Sequence, residues 1–163
     1  MSLTTIASPH HGSAFADYVF ERIGPTSLPR IFRALRALRI KTGAFTQLTR
    51  RFMEEDFNPR TPNREGVRYL SYGASVDPPI WSAFKRSHRI VEREEGANDG
   101  LVSVESSRWG EYKGTLVNVS HLDLINWTNR LRWLVWEMTG NKRNFNAIAF
   151  YLDIGDMLAK EGL

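Results

Sequence analysis

The sequence contains no cysteine and no long apolar run, and both absences narrow the range of possible proteins. Without a cysteine among its 163 residues, disulfides, thiolate metal sites and cysteine nucleophiles are excluded. No run approaches the roughly 18 consecutive apolar residues that a membrane-spanning helix needs. Residues 1–6 also lack the basic start and the apolar core of a signal peptide.

The overall composition is that of an ordinary globular protein, with 42% hydrophobic and 25% charged residues. The length predicts a single domain over residues 1–163 with a sizeable core. Charge is uneven, because residues 20–70 carry eleven Arg and Lys against five Asp and Glu. Such a segment can attract nucleic acid, anionic lipid or an acidic partner. Nucleic acid is disfavoured, because no aromatic stacking platform accompanies the arginines.

The pattern of apolar residues predicts alternating strands and helices. Short β-rich runs predict strands over residues 3–7, 67–72 and 115–119. Helical spacing predicts helices over residues 28–40, 44–55, 81–86, 124–138 and 145–160. In the last helix, Ile148, Leu152 and Met157 form an apolar stripe that Gly155 interrupts. Strands separated by helices predict an α/β architecture with a parallel sheet.

Asp99 and His121 are the residues most indicative of chemistry. Asp99 lies in a turn, and His121 follows the third predicted strand 22 residues later. In a parallel α/β sheet, active residues gather at the carboxyl ends of the strands. An acid followed by a histidine is the order of the last two members of a Ser…Asp…His triad, in which the acid orients the histidine base. The alternative is that Asn98-Asp99-Gly100 is an ordinary turn, which these residues favour.

The nucleophile that would complete such a triad is missing, because the sequence has no G-x-S-x-G motif. The nearest match, Gly73-Ala74-Ser75-Val76-Asp77, ends in Asp, and Pro78-Pro79 follows where a nucleophile elbow would turn into a helix. Ser13 lacks the motif altogether. We therefore predict an acid and a base without their serine. The chain also opens inside its first predicted strand, which leads us to expect a truncated protein.

Four segments together carry a family resemblance. They are Thr4-Thr5-Ile6-Ala7-Ser8-Pro9-His10-His11-Gly12-Ser13 with Ala16-Asp17, Gly66-Val67-Arg68-Tyr69 with Ser71-Tyr72-Gly73, Asn98-Asp99-Gly100-Leu101-Val102-Ser103 with Ser106-Ser107, and His121-Leu122-Asp123. In this order they are similar to segments of the bacterial true lipases and their fungal triacylglycerol lipase relatives. The resemblance implies a partial α/β-hydrolase fold, the carboxyl-terminal half of such a lipase, with Asp99 as triad acid and His121 as triad base. It also implies that residues 14–66 form a lid-like helical insertion over an acyl-chain site.

The function that the resemblance implies is hydrolysis of acylglycerol esters at a lipid–water interface, through an acyl-serine intermediate. We expect an intracellular protein, mitochondrial or lipid-associated. The alternative is a non-catalytic lipid-binding or protein-binding remnant of a lipase. In either case the exposed edge of the first strand could pair with a complementary amino-terminal fragment or with a second copy.

The resemblance also implies a structural calcium ion. Asp77 and Asp123 fall at offsets similar to those of the family's calcium ligands, with backbone carbonyls near Trp127 and Leu131 completing the set. Calcium takes roughly six to eight oxygen ligands, so two carboxylates need further carbonyls and waters. The alternative is that both aspartates are helix N-caps.

The sequence contains two further groups of basic residues, a row of arginines and three histidines. The arginines of residues 28–40 could form an ordinary solvated face, or a lid that meets anionic head groups. Among the remaining histidines, we expect His10 and His11 to order the loop near the site, and His88 to lie at the surface.

Overall fold

A computed structural model describes residues 1–22, 46–126 and 145–163 of the chain. Its sheet has three parallel strands, β1 (Ser2–Ile6), β2 (Arg68–Ser75) and β3 (Glu111–Val117), with β2 in the middle. The predicted α/β fold with a parallel sheet is therefore confirmed. β3 ends two residues earlier than predicted, so a short loop separates it from His121.

The described helices are residues 14–22 (α1), Arg50–Phe52 (α2), Asn58–Arg60 (α3), Lys85–Glu95 (α4), His121–Leu124 (α5) and Ala147–Lys160 (α6), and a π-helical turn at Met53–Phe57 joins α2 to α3. The helix predicted over residues 81–86 is misplaced, because α4 begins only at Lys85. Residues 58–63 are rich in Asn and Pro, which predicts a loop, and this prediction is wrong for residues 58–60. Pro59 lies at the start of α3, directly after the π-helical turn.

The predicted helix over residues 28–40 and most of the one over residues 124–138 lie outside the described residues. The described residues 14–22 and 46–66 are the two ends of the predicted lid-like insertion. No helix in the described parts of the chain is long and apolar enough to cross a membrane.

α6 covers one face of the sheet through β2. The ring of Tyr72 meets Phe150 edge-on at 5.3 Å between ring centroids, and the Tyr72 hydroxyl contacts Met157 Sδ at 3.7 Å. Ala147 and Ile154 are the buried residues of this helix. Ile148 and Leu152, two members of the predicted apolar stripe, are exposed. The helix has apolar residues on two sides, and spacing alone did not identify the side that meets the sheet.

The core that supports the strand ends is built from small and medium side chains. Ala7, Ala74, Val119 and Leu124 are buried together, with Ile6, Leu116 and Phe145 packed against them. The alanines let the ends of β1 and β2 approach the other core residues closely. The chain then turns sharply after two of the strands, with positive φ at Ala7 and Asn118. The core thus fixes the starting points of the loops that follow the strands.

Candidate active site

The end of β2 holds together two loops that are distant in sequence. The Val76 amide donates to the Asn98 carbonyl at 2.9 Å, and the Ser75 carbonyl accepts from the Val119 amide at 3.0 Å. Asn98 directly precedes Asp99, and Val119 lies two residues before His121. The middle strand therefore brings the predicted acid and the predicted base to the same edge of the sheet, as expected for a parallel α/β protein.

Asp99 lies at the centre of this site, with 0% of its surface exposed. Its Oδ1 accepts hydrogen bonds from the amides of Leu101 at 3.0 Å and Val102 at 2.8 Å. Its own amide donates to the Val102 carbonyl at 3.1 Å. One carboxylate oxygen is thus fixed by the turn, which leaves Oδ2 directed to a different partner.

That partner is His121, whose Nδ1 lies 2.7 Å from Asp99 Oδ2. The His121 backbone amide also donates to the Asp99 carbonyl at 3.0 Å. The hydrogen bond to Asp99 raises the pKa of His121 above its ordinary value, against the opposing effect of partial burial. The side chain remains 33% exposed. With Nδ1–H donating to the carboxylate, Nε2 is the basic nitrogen, and no side chain in the described ranges hydrogen-bonds to it.

A capping box at the start of α5 fixes the position of His121. The Ser120 amide and hydroxyl both donate to Asp123 Oδ2, at 2.9 Å and 2.6 Å. This arrangement satisfies amide groups that have no partner within the helix. His121 is therefore the first residue of a short, well-anchored helix. The signal for this in the sequence is a serine followed three residues later by an acid.

Asn98 contributes to the site and was missed in the sequence. Its side chain is buried, and its Oδ1 accepts from the Gly100 amide at 2.9 Å. Its Nδ2 donates to the carbonyls of Gly96 at 3.0 Å and His88 at 3.3 Å. The carboxamide thus ties the Asp99 turn to α4. The available signal was an asparagine next to Asp-Gly, since asparagine side chains commonly bond to turn backbone.

His88 itself is buried in α4, so the expectation that it lies at the surface is wrong. Its ring lies on the side of the helix that packs inward with Ser87 and Val91. Most residues of α4 are charged, but one face of the helix packs inward. His88 lies on that face and is therefore buried.

The predicted metal ligands are placed separately. Asp77 Oδ1 pairs with Lys85 Nζ at 3.1 Å, and the Asp77 side chain is exposed. Asp123 is the third residue of α5 within its capping box and not the N-cap, and no helix begins at Asp77. Trp127 and Leu131 lie outside the described residues. Within the described parts of the chain, no three His, Asp or Glu side chains are close enough to hold a metal ion.

The two serines weighed in the sequence occupy other positions. Ser13 is buried, and its hydroxyl donates to the Leu101 carbonyl at 2.6 Å while accepting from the Phe15 amide at 3.2 Å. Ser13 therefore caps α1 and holds it against the Asp99 turn. Ser75 is the last residue of β2, where its carbonyl binds the loop before His121.

His10 makes the contacts expected of a residue that orders the loop after β1. Its ring stacks on Trp109 at 5.2 Å between centroids, and its Nε2 lies 2.9 Å from Thr5 Oγ1. Burial, together with the neighbouring His11, lowers the pKa of His10. The His11 ring lies 5.9 Å from the same tryptophan, in a tilted arrangement.

Comparison with known proteins shows what this arrangement is similar to. No family model matches the chain. Over 171 aligned residues, the chain is 43% identical to triacylglycerol lipase 2 of Saccharomyces cerevisiae. The match covers 99% of this chain but 49% of the yeast protein, so the chain spans about half the length of this curated relative.

Two solved structures with a similar fold are also lipases. The Staphylococcus hyicus lipase superimposes with a TM-score of 0.70 at 18% identity, over 98% of this chain and 57% of that one. The mature Bacillus licheniformis lipase BlEst2 superimposes with a TM-score of 0.56 at 22% identity, over 83% of this chain and 53% of that one. Identities this low bear on the fold alone. Sequence and fold together thus relate the chain to the triacylglycerol lipases of the α/β-hydrolase type, the family predicted from its motifs, over about half the length of such a protein.

Proposed function

We propose that Asp99 and His121 are the acid and the base of a triad that hydrolyses carboxylic esters, with acylglycerols as the substrate class. The observation that carries this proposal is the 2.7 Å contact between His121 Nδ1 and the buried Asp99 Oδ2. It leaves Nε2 basic and partly open to solvent. The relationship to lipases supports the choice of reaction. A lipid-associated location would suit such a substrate.

In the proposed reaction, His121 Nε2 takes the proton of a serine hydroxyl as the serine oxygen bonds to the ester carbonyl carbon. The imidazolium then returns this proton to the departing alcohol as the ester C–O bond breaks. Water attacks the acyl-serine with the same assistance, releasing the fatty acid and restoring the serine. Asp99 stays ionised throughout, holds the tautomer and stabilises the imidazolium.

The serine is proposed to come from a part of the polypeptide other than the described residues. The Ser13 hydroxyl proton is engaged by the Leu101 carbonyl, and Ser75 lacks the sequence of a nucleophile elbow. In the described sheet, β1 pairs with a strand on one side only. Its other edge is a suitable place for a complementary segment to add a strand.

A chimera tests this proposal. The segment of the yeast lipase that this chain does not match would be joined to the chain in the order of the relative. We expect the chimera to hydrolyse a short-chain triacylglycerol. The same chimera with His121→Ala should fold but lose on the order of 10⁴-fold in turnover, because triad members act as a unit. A folded chimera without activity would favour the non-catalytic remnant.

The predicted calcium ion has no part in this mechanism. The described residues offer the carboxylates of Asp77 and Asp123, of which the first is paired with Lys85 and the second with Ser120. Further oxygens would have to come from the carbonyls of Trp127 and Leu131. We propose calcium at this position only as a stabiliser of the loops after β2 and β3.

A further inference from the structure

A groove between α1 and α4 gathers arginines that have no acidic partner among the described residues. The cavity has a volume of about 570 Å³, and four of its lining residues are Arg22, Arg86, Arg89 and Arg93. Its apolar lining comes from residues such as Tyr18, Ile80 and Ile90. We call these four arginines and their apolar lining the arginine groove. It uses none of the residues that form the Asp99–His121 site.

The charge in the groove is uncompensated, unlike that of most other described arginines. The arginines paired with a carboxylate within 4 Å are Arg50, Arg51, Arg60, Arg68 and Arg108. In the part of the chain that the structure describes, none of the four groove arginines has such a pair. Two of them contact Tyr18, whose hydroxyl accepts a hydrogen bond from Arg86 at 3.2 Å and whose ring lies under Arg22 at 5.9 Å.

The acidic residues of α4 are directed to other partners. Glu92 lies 3.8 Å from His88, and Glu94 and Glu95 lie within 4 Å of Arg50. Asp77 pairs with Lys85 at the rim of the groove. Four cations with no carboxylate partner in residues 1–22, 46–126 and 145–163 therefore share one surface. A concentrated positive field of this kind attracts anionic groups.

The spacing of the arginines gives this surface its shape. Arg86, Arg89 and Arg93 follow one another by three and four residues along α4, so they lie on one face of the helix. Ile80 and Trp81 precede the same helix, and each is 80% exposed. Large apolar side chains held in solvent beside a row of cations are typical of surfaces that lie at a membrane interface.

We propose that the arginine groove, together with Ile80 and Trp81, is a docking surface for membranes that contain anionic phospholipid. The guanidinium groups would bind phosphate and carboxylate oxygens of the head groups, for which their planar forks are suited. Trp81 would sit at the boundary between head groups and acyl chains, where its ring is stable. The inference is independent of ester hydrolysis, because it involves no triad residue.

The test is flotation of the 163-residue chain with vesicles, in which bound protein rises and aggregated protein sinks. We expect binding to vesicles of phosphatidylcholine mixed with phosphatidylserine, little binding to phosphatidylcholine alone, and weaker binding as salt increases. The triple variant Arg86→Gln/Arg89→Gln/Arg93→Gln should lose about 100-fold in affinity, or about fivefold for each arginine near the surface.

A matched control removes the same charge elsewhere. The variant Arg51→Gln/Arg60→Gln/Arg108→Gln changes three arginines that are each paired with a carboxylate. Its affinity for the vesicles should fall less than about threefold, because exposed ion pairs contribute little outside their own contact. Trp81→Ala should lower the affinity for the vesicles about tenfold, because the exposed ring would no longer be buried against the bilayer. Circular dichroism checks that each variant is folded. If the triple variant unfolds, the single variant Arg89→Gln replaces it in the flotation test.

Several outcomes would overturn the proposal. Equal losses in the two triple variants would mean that only net charge matters. Undiminished binding of the groove variants would place the lipid contact elsewhere. Displacement of the vesicles by millimolar glycerol phosphate would make the groove a phosphate pocket, and equally tight binding of single-stranded polynucleotide would make it a nucleic-acid surface.

Discussion

At the scale of single residues, the site depends on how Asp99 divides its hydrogen bonds. Oδ1 accepts two amides of its own turn, and Oδ2 accepts Nδ1–H of His121. The hydrogen bond to the buried carboxylate holds the tautomer of His121, while the histidine side chain remains 33% exposed. These contacts are short-range, so they can be tested one side chain at a time.

We expect Asp99→Asn to lower the pKa of His121, because the hydrogen bond to the carboxylate is the main cause of its elevation. In the parent, the pair stabilises the fold fully below the unfolded histidine pKa of about 6.5. That contribution is lost as pH rises through the higher folded pKa. The measurement is an NMR titration of the histidine rings. His10, whose pKa is lowered by burial and by His11, should not move in the variant and serves as the internal control.

Asn98→Ala should also lower the His121 pKa, although Asn98 does not touch the histidine. The change leaves the Gly100 amide and the carbonyls of Gly96 and His88 without their partner. We expect a loss of roughly 2–3 kcal/mol in the free energy of unfolding, measured by urea denaturation, because buried polar groups are then unsatisfied. The control is Asn63→Ala, which removes an exposed contact to Trp109 and should cost less than about 1 kcal/mol. Similar losses for the two variants would contradict a special role for Asn98.

At the scale of elements, the turn after α4 and the start of α5 must fit against each other. Gly100 has a φ of +105°, and a Cβ added there would lie 2.9 Å from the Cβ of Phe84. The turn that holds Asp99 can therefore approach the start of α4 only because residue 100 has no side chain. The short helix α5 depends equally on its capping box, since four residues cannot form a stable helix alone.

Gly100→Ala should lower the free energy of unfolding by about 2 kcal/mol or more, through backbone strain and the clash with Phe84. Gly155→Ala is the control, for which we expect the opposite change. Gly155 lies in α6, and no atom lies within 4 Å of the position that an added Cβ would take. It should raise stability by up to about 1 kcal/mol, since alanine is the better helix former. Thermal or urea unfolding measures both. A neutral Gly100→Ala would show that the turn can move away from α4.

The loops after β2 and β3 carry the calcium prediction. If Asp77 is a ligand, calcium should raise the unfolding midpoint relative to a chelator, and Asp77→Asn should abolish this difference. Asp77 begins no helix, so this variant does not disturb a cap. Asp123→Ala should lower the free energy of unfolding by about 1 kcal/mol even in chelator, because it breaks the capping box. If the unfolding midpoint of the parent protein were the same in calcium and in chelator, the calcium proposal would be wrong.

At the scale of the whole molecule, the sequence predicted the parts of the fold that depend on local pattern. Three β-rich runs predicted the three parallel strands, and the placement of Asp99 and His121 after secondary-structure elements predicted that they meet. The sequence did not predict burial of His88, exposure of Leu152 or the function of Asn98. Those properties are decided by which neighbouring element packs against each residue, and helical spacing does not specify the neighbour.

The 163-residue chain by itself should contain no activated serine. It should not react with a fluorophosphonate probe, which labels activated serines, even though Asp99 and His121 are in contact. A base can activate only a hydroxyl within hydrogen-bond reach, and the Ser13 hydroxyl donates instead to the Leu101 carbonyl. The chimera with the complementary segment should be labelled under the same conditions, whereas its His121→Ala form should be labelled far more slowly. Stoichiometric labelling of Ser13 or Ser75 in the 163-residue chain would overturn the assignment of the nucleophile and make the chain a complete hydrolase.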